Sequence, residues 1–174
     1  MVEPIFQTIA RAKEVSFTRP YAYFGYCGAI VRKGESRFKA FSDLNQPGLS
    51  VVVVQGYTDD SYAREHLPDA KVRSMKVDDV NLIFLEVLSG NADAALSDVA
   101  QVKAFQREHP DKVDMLFVDA PPAFVPAGIM LKQGDFALAN FLNASLDYME
   151  ANGVLDQLDA KYGVTAFREK RQLR

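Results

Sequence analysis

The sequence has a single cysteine, Cys27, which excludes an internal disulfide and any zinc site built on several thiolates. It sits in an apolar run, where a packed thiol is the better reading than a nucleophile. Histidine is nearly as scarce. His66 and His109 stand far apart, each beside loop residues (His66-Leu67-Pro68 and His109-Pro110). Surface or cap positions suit them better than metal ligation, and no metal site is expected. Long hydrophobic runs are missing too: no stretch reaches the length of a membrane span, and the N-terminus carries neither a basic n-region nor an apolar h-region. Nor is there an excess of positive charge. With a formal net charge of -3, the chain lacks the basic footprint of a nucleic-acid binder. The basic tail Arg168-Glu169-Lys170-Arg171-Gln172-Leu173-Arg174 is short and interrupted by an acid, and reads as a solvated helix end. No low-complexity tract or Pro/Gly-rich linker divides the 174 residues, which can bury one core or two small lobes sharing a hinge.

What is present is organised around Val51-Val52-Val53-Val54-Gln55-Gly56-Tyr57-Thr58-Asp59-Asp60. Four β-branched residues in a row predict a strand buried on both faces, as in a parallel sheet between helices. Gly56 turns the chain, and Thr58 or Asp59 can cap a helix over roughly 59–66. Such a strand–turn–helix unit offers backbone N–H groups and a positive dipole end to a small anion such as a carboxylate. An ordinary βα turn with no ligand explains the same residues.

Before this unit, Pro4-Ile5-Phe6-Gln7 resembles the end of a strand, and residues 15–18 alternate as a short one. Residues 24–31 read as a single strand, with Gly25 and Gly28 marking close backbone approach or a bend. Ser42-Asp43-Leu44 starts a helix that Pro47-Gly48 cuts short. After the valine strand come a strand over 70–75 and a helix capped by Asp78, whose apolar positions Val80, Ile83, Phe84, Val87 and Leu88 keep helical spacing. Leu82 and Leu85 widen that stripe and predict deep packing, and Gly90 stops the helix. A small-residue strand over 92–96 leads through Ser97-Asp98 into a helix over 99–107. Strands over 113–118 and 124–131 flank the rigid Pro121-Pro122, and helices over 135–151 and 154–162 close the chain. The alternation means α/β with a mostly parallel sheet. Ligands bind beyond the carboxyl ends of such strands, where Thr58 offers a hydroxyl for a carboxylate and Asp98 a carboxylate for an ammonium.

The ordered set Thr8-x-x-Arg11, Val15-Ser16-Phe17-Thr18-x-Pro20-Tyr21, Arg32-Lys33-Gly34, Asp43-Leu44, Val54-Gln55-Gly56-x-Thr58, Gly90-x-x-Asp93-Ala94-x-x-x-Asp98, Gly128-Ile129, Asn152-Gly153 and Lys161-Tyr162-Gly163 resembles the extracellular (periplasmic) solute-binding proteins of amino-acid ABC transporters. The likeness covers nearly the whole chain and rests on the order, since no single motif is specific. It implies a type II periplasmic-binding-protein-like α/β fold of two lobes, with residues 25–121 as a complete second lobe. Residues 1–24 and 122–174 would be a remnant of a first lobe whose N-terminal half, with its signal peptide, is absent from an N-terminally truncated chain. A periplasmic location follows from the resemblance. So does capture of an amino acid or similar small zwitterion for a membrane permease, without a cofactor. The ligand-binding residues would be Thr8, Arg11, Gly56, Tyr57, Thr58 and Asp98, with Arg11 clamping the α-carboxylate through paired charge-assisted bonds. Thr58 would add a hydroxyl and amides to that carboxylate, and Asp98 would meet the α-ammonium. Where the family usually has a small hydroxyl residue before the threonine, this chain has Pro4, Phe6 and Gln7, so that part of the grip is altered.

Each assignment has a plainer counterpart: Arg11 as a surface arginine, Thr58 and Asp98 as helix caps, the last with Gln101 three residues on. A second resemblance, to cyclohexadienyl (prephenate/arogenate) dehydratases of the same fold, rests on Arg37-Phe38-x-x-Phe41-x-x-Leu44-x-Gln46-Pro47-Gly48, Tyr62-Ala63-Arg64-Glu65-x-Leu67 and Asp79-x-x-x-Ile83-Phe84-x-Glu86. Such an enzyme needs a general acid, and Asp60 and Glu65 are the nearest carboxylates. A sensory module is a third class, without a signalling segment to support it. The stripe Leu138, Phe141, Leu142, Leu146 and Met149 on the helix from Asp135 calls for a partner. Self-association, preferably by exchange of terminal segments, is therefore expected.

Overall fold

The computed structural model describes residues 4–163, so the basic tail at 168–174 lies outside them. The chain separates into two compact units, one formed by the residues up to Phe24 with those from Phe124 onward, the other by Gly25–Ala123.

The first unit opens with β1 (Pro4–Phe6), the one-turn helix α1 (Ile9–Ala12), β2 (Ser16–Phe17) and the start of β3 (Ala22–Tyr26), whose last two residues belong to the second unit. It is completed by residues from the far end of the chain. In the second unit follow β4 (Gly28–Arg32), a 3₁₀ turn at Phe41–Leu44, β5 (Ser50–Val54), α2 (Thr58–His66), β6 (Lys71–Met75), α3 (Asn81–Leu88), β7 (Ala94–Ser97), α4 (Val99–Glu108) and β8 (Val113–Leu116). The first unit then resumes with β9 (Ala123–Leu131), α5 (Phe136–Ala151) and α6 (Val154–Tyr162).

The five strands of the second unit lie in the order β6-β5-β7-β4-β8. The valine strand is interior, parallel to both neighbours, with Val51 opposite Val72 on one side and Ala94 on the other. Its side chains alternate between two cores. Val52 and Val54 join Ile83, Phe84 and Val87 of α3 and Val102 and Phe105 of α4. Val51 and Val53 join Phe38, Leu44, Ala63 and Leu67 on the opposite face. Each such side chain contributes about 1.5–3 kcal/mol when fully buried, so a β-branched run with no polar face is what this position selects.

The sheet is not uniformly parallel. β4 runs antiparallel to both β7 and β8. The predicted single strand over 24–31 is two strands, broken at Cys27, whose φ of 59° lies in the left-handed region. The Cys27 N–H donates to Asp59 Oδ1 at 2.7 Å instead of entering a ladder. Gly25 is a close-approach glycine, since a Cβ there would run into the Pro121 ring.

Two expectations for α3 fail. Val80, not Asp78, is its N-cap residue, and Asp79 accepts from the Asn81 N–H at 2.9 Å. Leu82 and Leu85 remain 44% and 45% exposed, because Ile83, Phe84 and Val87 already fill the sheet-facing arc. The C-terminus of α3 is closed from outside by Arg32, whose Nη1 donates to the Val87 and Ala92 carbonyls.

In the first unit β9 is the central strand. It pairs antiparallel with β1 (Ile5 opposite Gly128) and β2 (Phe17 opposite Met130), and β3 also pairs with it. Thr18, 3% exposed, ties this sheet together: its hydroxyl accepts from Ile129 N–H and its carbonyl accepts from the Gln7 amide. Helix α5 is clamped by Arg19, whose N–H donates to Asn143 Oδ1 and whose guanidinium pairs with Asp147 and Glu150. The predicted single apolar stripe of α5 divides. Leu146 is buried and Leu142 and Met149 are half-buried. Leu138 is 37% exposed and Phe141 66%.

Candidate ligand-binding site

Parallel pairing of β5 with β7 sets their C-terminal ends side by side in the second unit. Thr58 follows the first strand and Asp98 the second, so the two sequence candidates of this unit share one rim of its sheet. The antiparallel strand β4 brings its start to the same rim: Gly28 lies opposite Ser97, so Cys27 and Asp98 flank that pair. Strand β8 ends there as well, Leu116 facing Ala29.

The Gly56 turn follows a left-handed φ of 78°, as the glycine predicts. Its N–H groups are engaged within the turn. The Gly56 N–H donates to Asp60 Oδ2 at 3.0 Å, and the Tyr57 N–H to the Val54 carbonyl at 3.2 Å. Tyr57 is the N-cap residue of α2 and makes no side-chain cap bond. Neither Thr58 nor Asp59 takes the predicted cap position. Thr58 is the half-buried first residue of the helix, and its hydroxyl has no hydrogen-bond partner among the described residues. Capping therefore does not account for Thr58.

Asp98 is a true N-cap, its Oδ1 accepting from the Gln101 N–H at 3.0 Å. Burial pushes its pKa upward, against the hydrogen bonds from the α4 amides. One carboxylate oxygen thus serves the helix, and a carboxylate can accept several further bonds. Beside it lies an acid that the sequence offers only as a possible cap of α2. Asp59 is 2% exposed, and burial raises its pKa to about 6, with the nearby Asp98 charge acting in the same direction.

In the first unit Thr8 caps α1, its hydroxyl accepting from the Arg11 N–H at 3.2 Å. The Arg11 guanidinium is half-buried and donates from Nη1 to the Phe6 carbonyl at 2.8 Å. The Phe6 carbonyl thus holds the guanidinium, while Thr8 fixes only the backbone of the turn that carries Arg11.

The two acids considered for a dehydratase fare differently. Asp60 is 8% exposed. Burial opposes its charge, but bonds from the Ser74 hydroxyl, the Gly56 N–H and Arg64 outweigh that and lower its pKa. A carboxylate held this firmly as an anion is a poor proton donor at neutral pH. Glu65 is exposed on α2. Cys27 is fully buried, its thiol pushed far above the usual range by burial, so it is no nucleophile. His66 stacks on Tyr62 at the exposed end of α2, and His109 is the C-cap residue of α4.

Residues 1–165 match the bacterial extracellular solute-binding proteins, family 3. The chain belongs to that family. Among its relatives, the ABC transporter glutamine-binding protein GlnH of Bacillus subtilis is 32% identical over 155 residues, covering 89% of this chain and 54% of the relative. Cyclohexadienyl dehydratase of Pseudomonas aeruginosa is 26% identical over 149 residues, covering 86% and 54%. The crystal structure of an ancestral amino acid-binding protein, a precursor of cyclohexadienyl dehydratase, superposes with a TM-score of 0.77 at 32% identity, covering 90% of this chain and 65% of that one. The chain spans about half the length of the curated relatives it matches. Its architecture is that of the type II periplasmic binding proteins. Among the described residues no group of acids, histidines and cysteine is placed to hold a metal, and no helix is long and apolar enough to cross a membrane.

Proposed function

We propose that this family 3 chain binds an amino acid or a similar small zwitterion as the solute-binding component of an ABC transporter, in the periplasm, delivering it to a membrane permease. The observation that carries the reading is the placement of Thr58 and Asp98 at the ends of adjacent parallel strands. A hydroxyl with no partner among the described residues stands there beside a half-buried carboxylate. In this reading Asp98 receives the α-ammonium and Thr58 the α-carboxylate. Gly56 and Tyr57 shape and flank the Thr58 turn. Arg11, on the turn capped by Thr8 and held by the Phe6 carbonyl, supplies the bidentate charge for the carboxylate. The first unit and the second unit correspond to part of one lobe and a whole second lobe of the family fold. The apolar residues left exposed in the first unit support self-association of this chain.

A thermal-shift screen with the twenty amino acids and prephenate tests the reading. At least one amino acid should raise the melting temperature, and a flat response to all twenty would sink it. Asp98→Asn is the deciding variant, because asparagine caps a helix as well as aspartate does but carries no charge for an ammonium. It should weaken binding by about 2–5 kcal/mol, while Asp98 as a cap alone predicts unchanged affinity. The dehydratase reading draws on the Pseudomonas relative. It is less supported, because Asp60 is committed to Ser74, Gly56 and Arg64. Turnover of prephenate would reverse that ranking.

A further inference from the structure

We infer that Asp59 is a positioning residue: its buried carboxylate ties the turn carrying Thr58 to the left-handed Cys27 junction between β3 and β4, and thereby fixes the rim that Thr58 and Asp98 share. The ligand side of this inference rests on the amino-acid reading above, whereas the tether itself can be read without any ligand.

Asp59 and Cys27 are 2% and 0% exposed, and Cys27 N–H donates to Asp59 Oδ1 at 2.7 Å. This is a short charge-assisted bond. It occupies a donor that otherwise has no place: β3 ends at Tyr26, β4 begins at Gly28, and Cys27 belongs to neither ladder. A non-glycine residue in the left-handed region is strained and persists only where its surroundings over-determine it. The carboxylate of a residue 32 positions away does so here. Because Asp59 directly follows Thr58 in the first turn of α2, the bond also holds the N-terminus of that helix against the start of β4. Gly28 is in turn registered on Ser97, the residue before Asp98. The side chain thus ties the turn after β5 to the start of β4, and the β4–β7 ladder carries that link on to the end of β7. The groups that face it are Cys27 at the junction, Asp98 at the N-terminus of α4 and Tyr26 at the end of β3.

The test combines a ligand-free readout with a binding readout. In the wild-type chain without ligand, the Cys27 amide should be strongly protected from exchange, and its NMR shift should follow a single carboxyl titration. Asp59→Asn, which keeps an acceptor oxygen, should preserve the protection and abolish the titration. Asp59→Ala should lose both. With the amino acid that most stabilises the wild type in the twenty-member screen, Asp59→Asn should bind within about threefold of the wild type and Asp59→Ala about tenfold weaker or more. A wild-type Cys27 amide that does not titrate, or an alanine variant that keeps both the protection and the affinity, overturns the inference. That titration needs no variant, so it stands even if Asp59→Ala does not fold. If the wild type binds none of the twenty, the amino-acid reading fails while the amide measurements still decide the tether.

Discussion

The two units of this chain bury their apolar residues very differently. Both extended hydrophobic clusters of the described residues lie within Gly25–Ala123, one on each face of the five-stranded sheet. The other unit buries Ala22, Val125, Ala127, Leu131, Leu146 and Leu155, yet leaves Ile9, Phe136, Phe141, Tyr148 and Tyr162 between 66% and 86% exposed. A sheet covered on both faces closes its own core, as a parallel βα arrangement requires. A four-stranded sheet with a helix clamped mainly by polar contacts through Arg19 does not. The stability of the chain should accordingly reside in the second unit.

The contrast can be tested with two phenylalanines. Phe84 is fully buried and packs on Phe105 with ring centroids 4.8 Å apart. Phe84→Ala should cost about 3–5 kcal/mol in denaturant unfolding. Phe136, 74% exposed, should cost within about 0.5 kcal/mol when replaced by alanine. Comparable losses at the two positions would mean that the units share one core and that the contrast is false.

A smaller effect concerns pH. The folded protein keeps a proton on Asp59 up to about pH 6, while an unfolded aspartate releases it near about pH 4. Between those values the fold binds more protons than the unfolded chain. The Asp59 contribution is therefore fully present below the lower value and lost as pH rises through the upper one. Carboxylates held as anions, Asp60 and Asp114 among them, contribute in the opposite sense. The comparison is thus between wild type and Asp59→Asn. Their difference in unfolding free energy should change across pH 4–6 and be constant above about 7. A difference independent of pH would show that Asp59 titrates as an ordinary surface acid.

How much of this could be read in the sequence depended on whether the cause was local. The valine run announced an interior strand because no polar face interrupts it. Gly56 announced its turn because a left-handed residue was needed there. Asp98 could be seen both as a cap and as a strand-end carboxylate, and the cap is realised. The break at Cys27 was legible only as a possible bend marked by Gly25 and Gly28: the left-handed residue is the cysteine between them, held by a partner in a different element. The same reason hid Asp59. From sequence it is a possible cap of the helix after the valine strand, and only burial beneath the β3–β4 junction sets it apart. The exposure of Leu82 and Leu85 also escaped, since helical spacing gives a stripe but not how much of it the sheet can cover.

The last prediction concerns the bare side of α5. Leu142, Leu146 and Met149 recur at helical spacing on its covered face. Leu138, Phe141 and Tyr148 recur three and seven residues apart on the other, the last two 66% and 69% exposed. Apolar side chains aligned along nearly three turns of helix make a longer strip than the single exposed pair Leu82 and Leu85 of α3, and strips of this kind favour association. Two copies of the chain can cover the strip symmetrically, or they can exchange terminal segments. Phe141→Ser separates the routes at little cost to the fold, about 0.5 kcal/mol or less for an exposed position. Light scattering at micromolar concentration should find the wild type associated. Loss of association in Phe141→Ser assigns it to the α5 face, and persistence assigns it to segment exchange. A wild-type chain that stays monomeric and binds no dye for exposed apolar surface would show that this strip drives nothing, and that the unevenness between the two units has no consequence in solution.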